Sequence, residues 1–239
     1  MIDLFSVTDD LELFGRDVVL LSRVDFHLPA GRYALLSQTP EFHRPLIDIM
    51  AGLRPPREGQ VQIAGSISWP IGRIGFVRGR SSGRDVLDLV SSVAGVDRAL
   101  AEEIVSLIVS RPDYIDQPIE RWPPYVKQEF IFAIGLVPDF DVYVIDGAIP
   151  FEETRFARLW QALFEERLVG KTLILSTYRQ KQMLDYCAKG LIYEANRFRI
   201  EDDLERCIES FPARPTREDL GGGGGAAGDG GDSGADFLF

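Results

Sequence analysis

The chain has 239 residues, a net charge of -11 at pH 7, 26% charged residues and 45% apolar residues. This length and composition predict a folded protein with one sizeable core, or one core and a small subdomain. The acidic balance argues against a nucleic-acid partner, because duplex binding draws on clustered Lys and Arg. The longest apolar run, FIFAIGLV at residues 130–137, is far shorter than the ~20 residues that cross a bilayer.

The cysteines and the N-terminus favour a cytosolic protein. Cys187 and Cys207 lie in no metal-ligand or redox spacing, so we expect reduced, structural thiols. The first residues, MIDLFSVTDDLELF, lack the basic start and apolar run of a signal peptide.

Short apolar runs alternate with helical patterns along the chain. Continuous apolar strands separated by helices predict a parallel sheet that is covered on both faces. The runs are VVLL (18–21), YALL (33–36), VYVI (142–145) and TLIL (172–175). Between the last two runs, an apolar stripe with helical spacing predicts a helix. Its members are Phe156, Leu159, Trp160, Leu163 and Phe164.

The middle of the chain has a different pattern. Val96, Leu100, Ile104 and Ile108 repeat every four residues, and Asp97 is a suitable helix N-cap. Strand patterns are scarce here, so we predict a helical subdomain of about residues 83–135 inserted in an α/β domain of residues 1–212.

The C-terminal residues predict a flexible tail. From position 221 the chain reads GGGGGAAGDGGDSGADFLF, which has no periodicity and little apolar surface to bury. We therefore predict a Gly-rich, acidic tail over residues 213–239, whose DFLF end is a frayed apolar terminus rather than a docking motif.

Residues 33–55, YALLSQTPEFHRPLIDIMAGLRP, have the layout of a phosphate-binding loop: an apolar strand, a loop and a short apolar helix. The loop itself contains neither glycine nor lysine. The frame of a nucleotide site is present without its usual chemistry.

Several segments together carry a family resemblance. In order and spacing, the chain resembles the nucleotide-binding subunits of ABC transporters that export capsular and other surface polysaccharides, over about residues 1–212. The segments are LPAGRYALL, AGLRPPREGQVQIAGSISWPIG, DVLDLV, DFDVYVIDG and DYCAKGLIYEANRF. The resemblance implies an α/β fold of the P-loop NTPase-like ABC ATPase type, with a mainly parallel sheet, an N-terminal antiparallel β part and a helical insertion.

Carried over position by position, the family's phosphate loop G-x-x-x-x-G-K-[ST] is changed throughout. Proline has no N–H to donate, and a phenylalanine puts a large side chain where backbone must approach phosphate. We therefore predict that this degenerate loop does not bind nucleotide, although a proline in the first helical turn preserves the strand-loop-helix frame. The loop begins at Ser37, and the diagnostic positions hold Pro40, Phe42, His43, Arg44 and Pro45.

The later family motifs are changed as well. The glutamine position falls on Val77 or Arg78, the signature on Pro123, Pro124, Tyr125 and Val126, the catalytic glutamate on Gly147, and the switch histidine on Thr177 or Tyr178. Phe14 stands where the family stacks an aromatic on adenine, but an anchor for the N-terminal strand is the favoured interpretation. The basic and aromatic segment RWPPYVKQ is interpreted as a packed turn that enters the next helix.

Asp146 stands where the resemblance implies the Mg²⁺-associated aspartate, so it is the one candidate for cofactor and metal binding. As a lone Asp at a strand end, it is expected to be a hydrogen-bonded structural group.

We therefore expect a catalytically inactive subunit that needs no cofactor. Its expected partners are a polysaccharide-export permease and a second ATPase-type subunit, in a homodimer or in a heterodimer with an intact one, at the cytoplasmic face of the inner membrane. The alternative is an active subunit that uses ATP and Mg²⁺, with Glu152 or Glu153 near the site, although both are better explained as the acidic start of a helix. A further alternative is a soluble protein-binding scaffold.

Overall fold

The computed structural model describes residues 1–13, 15–73, 75, 77 and 79–212. Their strands are β1 (Ile2–Leu13), β2 (Arg16–Leu28), β3 (Arg32–Ser37), β4 (Glu58–Ile63), β5 (Val142–Asp146), β6 (Thr172–Ser176), β7 (Lys189–Glu194) and β8 (Arg197–Glu201). The α-helices are α1 (His43–Met50), α2 (Gly83–Ala94), α3 (Arg98–Ile108), α4 (Pro124–Ile134), α5 (Arg155–Arg167), α6 (Gln180–Tyr186) and α7 (Leu204–Ser210). Short 3-10 turns span Pro40–Phe42, Pro112–Tyr114 and Ile119–Arg121.

The strands form two sheets. The first is antiparallel and has the order β2-β1-β4, and the second has the order β5-β6-β3-β7-β8. In the second sheet β5, β6, β3 and β7 are parallel, and only β8 runs antiparallel to its neighbour. The predicted fold, a mainly parallel sheet with an N-terminal antiparallel part and inserted helices, is confirmed.

The central strands are apolar on both faces because each face packs on its own core. On β3, Ala34 and Leu36 point into the core formed with helices α2 to α7. Tyr33 and Leu35 point into a second core shared with α1 and the antiparallel sheet. This two-sided burial explains why the YALL, VYVI and TLIL runs are continuous.

One predicted strand was assigned to the wrong sheet. VVLL at 18–21 lies in β2, which pairs with β1 in the antiparallel sheet. No helix separates this run from the next strand, and Val19 is 44% exposed while Leu20 is buried, as in a strand with one wet face.

Three helices of the predicted insertion, α2, α3 and α4, lie between β4 and β5. A capping box between Ser82 and Asp85 begins α2. Asp97 caps α3 as predicted, by accepting a hydrogen bond from the backbone N–H of Leu100. The buried face of α3 differs from the repeat in the sequence: Ala101, Val105 and Ile108 are buried.

Two further expectations have clear outcomes. Cys187 and Cys207 are free and buried, and burial raises the pKa of both thiols. Glu152 and Glu153 are exposed and precede the N-cap of α5, Thr154, so they are not the first turn of that helix.

Among the described helices, none combines the length and apolar character needed to span a membrane. The predicted tail, 213–239, lies outside the described residues.

Candidate nucleotide site

Three adjacent strands end at one edge of the parallel sheet. Ser37 ends β3, Ser176 ends β6 and Asp146 ends β5, and the sheet order brings these ends side by side. In open α/β sheets, ligands bind outside the carboxyl ends of the strands. The phosphate-loop candidate and the metal candidate of the sequence analysis therefore share one edge.

Some backbone N–H groups of the loop after β3 are already hydrogen-bonded within the loop. The Phe42 N–H donates to the Thr39 carbonyl at 3.1 Å, and the His43 N–H donates to the Pro40 carbonyl. Residues 37–46 are all described, and none of them has a positive φ. One form of phosphate-binding nest alternates right- and left-handed backbone conformations. This segment lacks that alternation and forms a 3-10 turn that leads into α1.

The His43 side chain connects two strand ends. Its Nε2 lies 2.8 Å from Ser37 Oγ and its Nδ1 lies 3.1 Å from Ser176 Oγ. The Ser37 hydroxyl donates to the Thr39 carbonyl at 2.8 Å, so Ser37 Oγ accepts from His43 Nε2–H. In the neutral ring, Nδ1 then accepts from the Ser176 hydroxyl. The imidazole thus closes the loop against β6, at the position where the resemblance puts a lysine.

Phe42 turns toward the protein interior. Its ring meets Tyr193 of β7 edge to face, with 5.7 Å between the centroids, and it packs against the second core. Pro45 is the third residue of α1 and continues the helix, as expected for the first turn. The strand-loop-helix frame therefore survives with a phenylalanine as its anchor.

Asp146 is held by an arginine that lies outside the family's motifs. Arg73 Nε donates to Asp146 Oδ2, and Arg73 Nη1 donates to Asp48 Oδ1 of α1 at 2.5 Å. Arg73 Nη2 also lies 3.4 Å from the carbonyl oxygen of Arg44. The side chains are largely shielded from water, at 15% exposure for Arg73, 18% for Asp146 and 24% for Asp48.

Burial and charge act in opposite directions on Asp146. Burial raises the pKa of this carboxyl group above its ordinary value, and the positive charges of Arg73 and Arg44 oppose that shift. The negative charge of Asp48 adds to the increase. The neighbouring guanidinium groups therefore favour the ionised form of Asp146, which burial disfavours.

The segment that carries Arg73 runs beside β5. Its residues 67 and 71 bridge to Val142 and Ile145 in parallel, and the Ile71 N–H donates to the Val144 carbonyl at 2.9 Å. The Asp146 N–H donates back to the Ile71 carbonyl at 3.1 Å. Gly72 follows with φ of 101°, a conformation that glycine adopts readily. This turn directs Arg73 back over the end of β5.

The loop after Asp146 is fixed by a buried glutamine. Gln182 Oε1 accepts from the Ile149 N–H at 3.0 Å, and Gln182 Nε2 donates to the Ile149 carbonyl at 2.7 Å. Gly147, at the position of the family's glutamate, has φ of 125° and no side chain to orient a water. Thr177 is buried, and its hydroxyl accepts from the Arg179 N–H at 3.2 Å.

The other sequence candidates lie elsewhere or outside the described residues. Pro124 begins α4 with Pro123 as its N-cap, so RWPPYVKQ does form a packed turn and helix start. Tyr125 on that first turn is 50% exposed, and Val126 is buried. Val77 is buried in the larger core. Arg78 and Phe14 are not among the described residues, so the predicted roles at these positions stay predictions.

Arg73 and Asp48 were missed because neither matches a motif. One signal was available in the sequence: an arginine directly follows the WPIG segment, whose family resemblance had been recognised. Its pairing with a residue 73 positions away depends on the course of the segment along β5. His43 was identified, but its bonds to the two serines were not predicted.

Comparisons with known proteins agree with this architecture. No protein-family model matches the chain. The capsule polysaccharide export ATP-binding protein CtrD of Neisseria meningitidis serogroup B is 27% identical over 202 residues, which cover 82% of this chain and 91% of that protein. The ATP-binding protein BexA of Haemophilus influenzae is 25% identical over 193 residues, which cover 80% and 89% of the two chains.

Solved structures show the same fold. An ATP-binding subunit of an ABC transporter matches with a TM-score of 0.69 at 15% identity, covering 92% of this chain and 98% of that one. A dimeric ATP-binding cassette in a post-hydrolysis state, bound to ADP and Pi, matches with a TM-score of 0.66 at 13% identity, covering 84% and 98%. The protein has the ABC ATPase fold. Its relatives are named as ATP-binding proteins, and they include CtrD, named for capsule polysaccharide export, and KpsT of Escherichia coli, named for polysialic acid transport.

Proposed function

We propose that the chain is the ATPase-type subunit of a polysaccharide exporter whose nucleotide site has become inactive. In this proposal it serves as a structural or regulatory partner of the membrane permease. The role in export is taken from relatives such as CtrD, whose sequences the chain matches over most of their length. The inactivity is proposed from the site itself.

The observation that carries the proposal is the occupation of the site by the chain's own side chains. Arg73 donates to Asp146, at the place where the resemblance implies a Mg²⁺-associated aspartate. His43 bridges Ser37 and Ser176 across the mouth of the loop. The residues present do not fit a Mg²⁺ ion, because the carboxylate that would bind the ion is neutralised by a guanidinium.

The loss of backbone N–H donors to phosphate lowers the expected free energy of nucleotide binding. Each charge-assisted hydrogen bond contributes roughly 1.5–3 kcal/mol, and a micromolar nucleotide affinity amounts to only ~8 kcal/mol in total. Pro40 and Pro45 have no N–H, and the amides of Phe42 and His43 are used within the turn. The loss of several phosphate contacts is therefore comparable to the whole binding energy.

The partner surface in this proposal lies on the helical insertion. Leu89 and Val93 lie one turn apart on α2 and are 54% and 81% exposed, and Leu100 of α3 is 48% exposed. Large exposed apolar side chains on these helices favour contact with another protein. We assign this region to the permease and place the protein at the cytoplasmic face of the membrane through that contact.

The second candidate is an active subunit with atypical site residues. It is favoured by the similarity to proteins named for ATP binding. In such an enzyme Arg73 must leave Asp146 before a metal ion can bind. General-base catalysis then lacks an obvious residue, because Gly147 carries no side chain and Glu152 and Glu153 are exposed ahead of α5.

Co-purification and turnover measurements separate these functions. The chain, expressed with a polysaccharide-export permease from the same organism, is purified from detergent-solubilised membranes and assayed with Mg-ATP. We expect the two proteins to purify together without hydrolysis that depends on this subunit. Turnover that Asp146→Asn abolishes would establish the active subunit, whereas failure to purify with any permease would favour the soluble scaffold.

A further inference from the structure

The Arg73 guanidinium is surrounded by oxygen atoms from two other parts of the chain. The Asp146 carboxylate comes from the end of β5, while the Asp48 carboxylate and the Arg44 carbonyl come from α1. Carboxylate and carbonyl oxygens are the ligands that hard divalent cations such as Mg²⁺ prefer. In this chain, oxygen atoms of the kind that bind a metal ion instead contact the guanidinium of Arg73.

The charges at this point are already balanced. Arg73 and Arg44 both act on Asp146 with positive charge, against the negative charges of Asp146 and Asp48. A Mg²⁺ ion added to this arrangement meets two guanidinium groups close by, and the repulsion between like charges is stronger in a shielded site than in water. Binding a metal ion here requires that Arg73 move away.

From this geometry we propose that Arg73 is a built-in cation that replaces a divalent metal ion and permanently ties α1 and β5 to the segment leading into the helical insertion. A metal ion that binds and dissociates can make and break the contacts among these three elements. A tethered guanidinium keeps them joined at all times. This role concerns the same site as the proposed function and deepens it.

The arrangement of the backbone supports the tie. Hydrogen bonds from Ser68 and Ile71 to β5 carry the segment along the strand, at 2.9 Å each to the carbonyls of Val142 and Val144. Eight residues separate Arg73 from Ser82, the N-cap of α2. The ion pairs of Arg73 therefore hold the end of the segment that precedes the connection to the insertion.

Metal titration without nucleotide tests this role. Thermal unfolding of the wild-type protein, Arg73→Ala, and the double variant Arg73→Ala/Asp146→Asn is followed with MgCl₂ and with MnCl₂, and Mn²⁺ binding is measured by electron paramagnetic resonance. Arg199→Ala is the matched control, because Arg199 also contacts two carboxylates, Glu194 and Glu201, but is 45% exposed. Should Arg73→Ala not fold, Arg73→Gln is measured in its place, since it is also uncharged.

We expect Arg73→Ala to have a lower midpoint than wild type and to recover part of it with either metal ion. Its Mn²⁺ affinity should exceed that of wild type by about tenfold or more, because removing the guanidinium removes a nearby repulsive charge. The double variant and Arg199→Ala should show no such gain. Metal binding by the wild type that depends on Asp146, or no gain in Arg73→Ala, would overturn the role of Arg73. Because no nucleotide is used, either result leaves ATP binding and turnover to be decided separately.

Discussion

His43 Nδ1 lies 3.1 Å from Ser176 Oγ, so the first residue of α1 is joined to the last residue of β6. The same ring is bonded to Ser37 at the end of β3. A side chain at the position of a phosphate-binding lysine therefore connects protein to protein. The loop gains stability from within instead of from a ligand.

Replacing His43 with alanine should destabilise the fold. Two hydrogen bonds are lost, at about 0.5–1.5 kcal/mol each, so we expect the free energy of unfolding to fall by about 1–3 kcal/mol. Urea denaturation measures the change. His27→Ala is the control, because the His27 ring is 55% exposed and its contact with Asp3 is at the surface. Equal effects of the two substitutions would contradict the bridging role of His43.

Restoring the family's lysine alone should not restore nucleotide binding. His43→Lys supplies a positive charge, but Pro40 and Pro45 still donate no backbone hydrogen bond and Arg73 still holds Asp146. We expect no measurable difference in ATP affinity between His43→Lys and wild type by equilibrium dialysis. Micromolar affinity in this single variant would show that one side chain, and not the loop backbone, had limited binding.

The carboxylate of Asp141, the residue before β5, should give part of the acid dependence of stability. Asp141 accepts hydrogen bonds from the N–H and the hydroxyl of Ser66, at 2.9 Å and 3.1 Å. These bonds, with a smaller effect of Lys171, lower the pKa of Asp141. A lowered pKa in the folded state gives stability that is present above the pKa of the unfolded chain and is lost as the pH falls through the folded value.

The stability difference between wild type and Asp141→Asn should therefore be largest near neutral pH and shrink below about pH 4. Urea midpoints across this range measure it. Asp139→Asn is the control: Asp139 also contacts Lys171, at 3.3 Å, and its side chain is 56% exposed against 53% for Asp141, so the comparison isolates the hydrogen bonds from Ser66. A constant difference between wild type and Asp141→Asn at all pH values would count against the assignment.

The larger core should be most sensitive at Trp160. This side chain is fully buried, stacks on Phe164 with 4.6 Å between centroids, and donates Nε1–H to the Phe132 carbonyl at 2.8 Å. Trp160→Ala should cost about 3–5 kcal/mol of unfolding free energy. Val169→Ala, at a position 73% exposed, should change it by no more than about 0.5 kcal/mol. A loss below about 1 kcal/mol at Trp160 would contradict the described packing.

Much of the fold was predictable because local patterns and tertiary packing agree. The YALL, VYVI and TLIL strands are buried on both faces, so their apolar runs are unbroken. The apolar stripe that begins at Phe156 predicts α5, and Asp97 predicts the start of α3. VVLL was assigned to the wrong sheet because a four-residue apolar run cannot distinguish a two-sided strand from one strand of a hairpin.

The strand-loop-helix layout of the site was predictable from the sequence, but the side-chain contacts within it were not. The positions of Ser37, His43 and Asp146 followed from the strand-loop-helix pattern and the family resemblance. The ion pairs of Arg73 depend on how residues 67–73 follow β5, where two isolated bridges and a glycine turn replace a regular strand. No local sequence pattern encodes that course, so the residue that neutralises Asp146 emerged only from the structure.

Titration of the purified chain with Mg-ATP, followed by calorimetry, tests the central claim most directly. The account predicts no saturable binding at micromolar concentrations, because the loop lacks phosphate donors and Arg73 neutralises Asp146. Saturable micromolar binding that is lost in Asp146→Asn would contradict it.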